Sequence, residues 1–158
     1  MSVKGTRTEK NLLAAFAGES QARNRYTFSA KVAREAGCEQ IAAIFLETAD
    51  NEKEHAKQFF KWLEGGDVEL TAAYPAGVVG DLAAHLAAAA AGERAEWGSI
   101  YPDMAGMAEK EGFPKIAATF RNVAVVEEWH EKRYNKLLAR VREGAVFRRD
   151  KPILWKCR

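Results

Sequence analysis

Glu52-Lys53-Glu54-His55 and Glu127-Glu128-Trp129-His130 are two copies of one short pattern, standing 75 residues apart. In a helix, residues three apart share a face, so each copy presents a carboxylate and an imidazole side by side. The copies belong to a longer repeat. Residues 26–63 laid on 101–138 without gaps give 14 identities in 38 positions, where unrelated sequence would give a few. Tyr26 falls on Tyr101, Gly37 on Gly112, Ile41 on Ile116 and Phe45 on Phe120. The first half of the chain is therefore expected to resemble the second in structure.

Each half reads as a pair of helices. Thr6-Arg7-Thr8-Glu9 fits a capping box, and the helix it opens runs to Ala36, with Gly37 as its left-handed stop. A second helix is predicted from Glu39 to Glu64, ending at Gly65-Gly66, with Ile41, Ile44, Phe45, Thr48, Phe59, Trp62 and Leu63 at helical spacing. Residues 66–80 carry Pro75, Gly77 and Gly80 and are too long for a turn between antiparallel neighbours, so they read as a crossover. Asp81 can cap a third helix to about Glu111, and Gly112-Phe113-Pro114 opens a fourth that reaches about Arg142. Alanine supplies 29 residues against 21 for Ile, Val and Thr together, which favours helix over sheet. The expectation is an all-α, ferritin-like four-helix bundle with one long crossover over residues 1–144 and an extended tail over 145–158.

Upstream the repeat changes offset: Ala17-Gly18-Glu19 matches Ala91-Gly92-Glu93 at 74. One extra residue thus lies between Glu93 and Tyr101. A continuous helix absorbs an insertion of this kind as a π-bulge, predicted here at or near Glu96-Trp97-Gly98.

The paired positions supply the donors of a dinuclear metal site. Glu19 and Glu93 come from two helices and Glu52-x-x-His55 and Glu127-x-x-His130 from the other two, all near mid-helix and so in one layer of an antiparallel bundle. Bridging carboxylates neutralise two close cations while each imidazole binds one of them. Any one of these residues alone would more readily be a solvated surface group; the register of the six is the signal. Glu96 lies one turn after Glu93 without a partner in the first half. Tyr26 and Tyr101 lie two turns beyond Glu19 and Glu93, as hydrogen-bond donors to a ligand carboxylate or as core aromatics. His85 has no repeat partner and is not expected to be a ligand, and Cys38 reads as an ordinary thiol.

These residues resemble the rubrerythrin family over essentially the whole chain. Ala17-Gly18-Glu19-Ser20-Gln21-Ala22-Arg23 with Tyr26, Glu52-Lys53-Glu54-His55, Gly92-Glu93 with Glu96, Glu127-Glu128-Trp129-His130 and Trp155-Lys156-Cys157 carry the likeness. The resemblance implies a non-haem di-iron peroxidase that reduces hydrogen peroxide to water and serves in oxidative-stress defence. It implies two irons held by Glu19, Glu52, Glu93 and Glu127 with His130 as a terminal ligand. Glu96 and His55 would compete for one iron, Glu96 when it is oxidised and His55 when it is reduced, with Tyr26 and Tyr101 bonded to ligand carboxylates. It further implies a homodimer and a rubredoxin-type electron donor. Such proteins commonly continue into a module whose single iron sits between two Cys-x-x-Cys pairs. The sequence stops one residue after Cys157, so a mononuclear four-cysteine iron site is not possible within it.

Composition narrows the classes. Lys and Arg number 24 against 22 Asp and Glu, a net charge of +2 that argues against a nucleic-acid binder. No stretch is long and apolar enough for a membrane span and the N-terminus lacks a signal core, so a cytoplasmic protein is expected. Iron oxidation and storage, as in a ferritin, and a metal-free helical interaction module stay open as alternatives. Dimanganese chemistry is less favoured, although ligand type barely separates it from iron.

Overall fold

The computed structural model describes residues 1–77, 80–148, 151, 152 and 154. Helix α1 spans Arg7–Glu35, α2 Glu39–Phe60, α3 Leu82–Ala95, α4 Tyr101–Lys110 and α5 Pro114–Arg142. A π-helical turn, Glu96–Ile100, joins α3 to α4 without a break, so the chain builds four rods, with no strand among the described residues. Helix α1 packs chiefly on α2, and α3 and α4 pack on α5, giving two hairpins. No helix among the described residues is long and apolar enough to cross a membrane.

The turns inside the hairpins repeat one solution. Gly37 and Gly112 adopt φ of +74° and +83°, where a side chain would be strained. Behind them Cys38 N–H donates to Ala33 O at 2.8 Å and Phe113 N–H to Ala108 O at 2.7 Å, the six-to-one bond of a Schellman stop. At the N-terminus Thr6 Oγ1 accepts from Glu9 N–H at 3.1 Å. The return bond of the box goes one residue further back than expected, from Gly5 N–H to Glu9 Oε2 at 2.8 Å. Glu111, at the end of α4, accepts from the N–H groups of Arg7 and Thr8 and so caps α1 from outside.

Helix α2 ends at Phe60, four residues short of the sequence expectation. Trp62 and Leu63 donate to carbonyls three residues back, which tightens and stops the helix. Glu64 then turns to accept from Ser2 Oγ and Val3 N–H. The crossover is tied down by Tyr74, whose hydroxyl donates to Ala14 O of α1 at 2.8 Å.

The predicted bulge is present. Tyr101 N–H donates to Glu96 O, five residues back, which defines the π turn. Trp97 holds this turn against α5 through a 2.6 Å bond from Nε1–H to Glu131 Oε2, and the Arg94 guanidinium lies 4.2 Å from its ring centroid.

Two apolar clusters fill the bundle and mirror the repeat. One holds Tyr26, Phe45 and Tyr134, the other Tyr101, Phe120 and Phe59. These are partners at the offset of 75. The expected tail is described only in part: Val146 packs on the first cluster and Phe147 is exposed. Trp155-Lys156-Cys157 lies outside the described residues.

Candidate metal centre

Between the two aromatic clusters lie four glutamates. Glu19, Glu52, Glu93 and Glu127 are at most 1% exposed, and no Lys or Arg among the described residues pairs with them. Burying a carboxylate costs several kcal/mol unless charge of opposite sign compensates it. Among the described residues the ion-pair partners they have are His55 and His130.

The ligand atoms form two groups. Glu19, Glu52, His55 and Glu127 each bring one donor atom into a set lying within 4.8 Å of one another, and Glu52, Glu93, Glu127 and His130 do the same. His55 Nδ1 stands 2.7 Å from Glu127 Oε1, 3.0 Å from Glu52 Oε2 and 3.9 Å from Glu19 Oε2. His130 Nδ1 stands 2.7 Å from Glu127 Oε2, 3.3 Å from Glu52 Oε1 and 3.7 Å from Glu93 Oε2. Glu52 and Glu127 thus give one oxygen to each group, the disposition of bridging carboxylates.

A test of fit lies in the hydrogen bonds that these atoms do not make. Glu19 Oε2, Glu52 Oε1, Glu93 Oε2, both Glu127 oxygens and His130 Nδ1 are buried without a hydrogen-bond partner. Orphaned buried acceptors are costly and rare in folded proteins. Here their lone pairs converge on shared points, as metal ligation requires. All-oxygen and imidazole donors of this kind suit iron or manganese.

The outer carboxylate oxygens are satisfied across the bundle. Tyr26 OH donates to Glu93 Oε1 at 2.5 Å, and Tyr101 OH donates to Glu19 Oε1. Each tyrosine therefore holds the glutamate of the other half. Burial, then the charges of Glu93 and Glu19 respectively, push both phenols well above their ordinary range and keep them as donors.

The clustered groups shift one another's proton affinities. Burial alone would lower His55, but Glu127 and Glu52 override it and push it up to about 9. Burial is likewise overridden at His130, which Glu127, Glu52 and Glu93 push up to about 12. Glu52 goes the other way, down to about 2, because the two imidazoles outweigh its burial. Burial raises Glu93 to about 8 and raises Glu19 well above the carboxylate range, with Glu96 the next contribution to Glu19.

Glu96 is not among the clustered ligand atoms. It is half-buried on the wall of a cavity of about 320 Å³ shared with Gly18, Gln21, Arg25, Tyr74 and Tyr101. Desolvation and then the charge of Glu93 raise its carboxyl well above the usual range, and Arg25 opposes them. His85, as expected, is elsewhere: its Nδ1 pairs with Ser29 Oγ at 2.9 Å. Sequence reasoning missed Asn51, whose side-chain amide lies 3.2 Å from His130 Nε2. Its place one residue before Glu52 was the available signal.

Comparison with known proteins agrees with this geometry. The rubrerythrin family model matches residues 10–138. The rubrerythrin of Porphyromonas gingivalis is 60% identical over 157 residues, covering 99% of this chain and 78% of that protein. That of Nitratidesulfovibrio vulgaris is 53% identical, covering 99% and 82%. Among solved structures, fully reduced, all-ferrous nigerythrin superposes with a TM-score of 0.76 at 32% identity, covering 89% of this chain and 73% of that one. Symerythrin from Cyanophora paradoxa, at 20% identity and a TM-score of 0.75, shares the fold over 89% of this chain and 88% of its own.

Proposed function

This chain belongs to the rubrerythrin family of di-iron oxidoreductases, and from that premise we propose that it reduces hydrogen peroxide to water. The observation that carries the reading is the pair of ligand groups sharing Glu52 and Glu127, with Glu96 held beside them on an open cavity. A ferrous pair, when bound, supplies two electrons to the O–O bond, so that peroxide, two protons and two electrons give two waters.

The protein's own residues do the rest. Glu52 and Glu127 would bridge the cations, Glu19 and Glu93 would bind one each, and Tyr26 and Tyr101 fix the outer oxygens of those two. The cavity roofed by Ala72, Ala73, Tyr74 and Pro75 is the route for peroxide to the face between Glu96 and Tyr101. Glu96, with its raised carboxyl, donates a proton at the departing oxygen. Glu96 as its anion and His55 as a neutral imidazole are the two side chains that would hold the same cation in turn, negative charge suiting the ferric state and a neutral imidazole the ferrous. A rubredoxin-type donor returns the electrons, and the protein acts in the cytoplasm as a homodimer.

Single-turnover stopped-flow oxidation of the ferrous protein tests this reading. Hydrogen peroxide is expected to oxidise it at least tenfold faster than dioxygen, and Glu96→Ala to remove that preference. Dioxygen reacting as fast as peroxide would overturn the proposal in favour of iron oxidation and storage.

A further inference from the structure

One of the two imidazoles at the site is held on its outer edge and the other is not. His130 directs Nδ1 at Glu127, Glu52 and Glu93, and its Nε2 lies 3.2 Å from the Asn51 amide. His55 directs Nδ1 at Glu127, Glu52 and Glu19, and no hydrogen bond to its Nε2 is made by any described residue. The donor sets of the two groups otherwise mirror each other, although His55 Nδ1 also bonds Glu52 Oε2 at 3.0 Å where His130 Nδ1 makes no hydrogen bond. The difference is written into the repeat: at the offset of 75, Val126 stands where Asn51 stands in the first half. A valine side chain can neither donate nor accept.

A cation on Nδ1 leaves the imidazole proton on Nε2. A half-turn of the Asn51 amide, which exchanges groups of nearly equal size, then presents its oxygen to that N–H. The bond fixes the tautomer and the plane of the ring. His55 has no such outer anchor, so its ring turns away at the cost of the metal bond alone. The vacated side is the one Glu96 can reach: Glu96 and Tyr101 line one cavity, and Tyr101 bonds Glu19, the terminal carboxylate of the His55 group.

We propose that Asn51 is the positioning residue that makes His130 the permanent imidazole ligand, and that Val126 leaves His55 as the ligand that departs. The second clause rests on the exchange of His55 for Glu96 proposed above.

The test uses the full chain labelled with 15N-histidine, loaded with Zn²⁺ and read by long-range 1H–15N spectra. Only three histidines contribute, and the His85–Ser29 pair reports an intact fold. In the wild type the His130 Nε2–H should exchange slowly with water and the His55 ring proton quickly. Asn51→Val and Asn51→Ala should speed His130 exchange by roughly tenfold, the equivalent of one hydrogen bond, while Asn51→Asp keeps an acceptor and restores protection. Val126→Asn should slow His55. Unchanged His130 exchange in both Asn51→Val and Asn51→Ala overturns the positioning role, and unchanged His55 exchange in Val126→Asn overturns the assignment of the asymmetry to that position. Counting 15N couplings in the iron-loaded wild type separates the two readings. Two imidazoles bound in both oxidation states would sink the ligand exchange while leaving the Asn51 result standing.

Discussion

Replacing Tyr101 with phenylalanine deletes one oxygen from a ring that is 1% exposed and leaves its packing on Phe59 and Phe120 in place. What disappears is the hydrogen bond to Glu19 Oε1. Glu19 Oε2 has no hydrogen bond of its own, so the variant leaves the whole carboxylate without a donor. A hydrogen bond to a charged acceptor is worth about 1.5–3 kcal/mol. At ~1.4 kcal/mol per decade, that predicts metal binding roughly 10–100-fold weaker at the position Glu19 faces, the range found when a partner of a ligand is removed. A chain of this size loses about 2–4 °C of melting temperature per kcal/mol, so the loaded protein should melt about 3–12 °C lower. The assay is a Zn²⁺ titration against a competing chelator, with thermal unfolding of the loaded protein followed by circular dichroism. Tyr134→Phe is the control, since Tyr134 sits in the mirror-image aromatic cluster and bonds no ligand carboxylate. An affinity for Tyr101→Phe within twofold of that control would refute the reasoning. Tyr26→Phe should reproduce the effect at the position Glu93 faces.

Glu52→Ala and Glu127→Ala should each abolish binding of both cations, because these residues serve both groups, whereas Glu19→Ala and Glu93→Ala should retain one equivalent by metal analysis. The metal-free protein should lose stability as pH rises from about 4.5 to 9, measured by denaturant unfolding. His55 contributes fully below its unfolded value of 6.5 and loses that contribution as pH passes its folded value of about 9, while Glu93 ionises against its burial up to about 8. Loading with metal should flatten this slope, since cations replace the bound protons. Deleting Gly98 shortens the Glu93 to Tyr101 interval to that between Glu19 and Tyr26 and places Glu96 where the first half has buried Ala22. Metal stoichiometry should survive and peroxide oxidation should slow at least tenfold; loss of both would show that the π turn serves the bundle and not Glu96.

The crossover was legible because residues 66–80 are long and carry Pro75, Gly77 and Gly80, and the helical hairpins and the six clustered donors because the repeat states each of them twice. The π turn was legible for the same reason, as a single step in the offset between Glu93 and Tyr101. What escaped depended on packing between rods. The tyrosines were placed two turns from a glutamate of their own helix, yet each reaches the glutamate of the opposite half, a relation fixed only by how the hairpins dock. Helical spacing carried α2 on to Glu64, but Glu64 is taken by the N-terminus, a contact of sequence separation 62 that no local pattern encodes. Asn51 followed the same rule: its value comes from His130 on another helix.

The division of ligands between the halves has a mechanical consequence. Glu19, Glu52 and His55 come from the α1–α2 hairpin and Glu93, Glu127 and His130 from the other, and each triad borrows its fourth donor from the opposite hairpin. Cations bound by both groups would act as rivets through the seam, adding to what the crossover does by keeping the two pieces in one chain. A protease cut in the exposed stretch 71–77 should leave the loaded protein in one piece on a sizing column. Stripping the metal from the cut protein should let the two hairpins come apart.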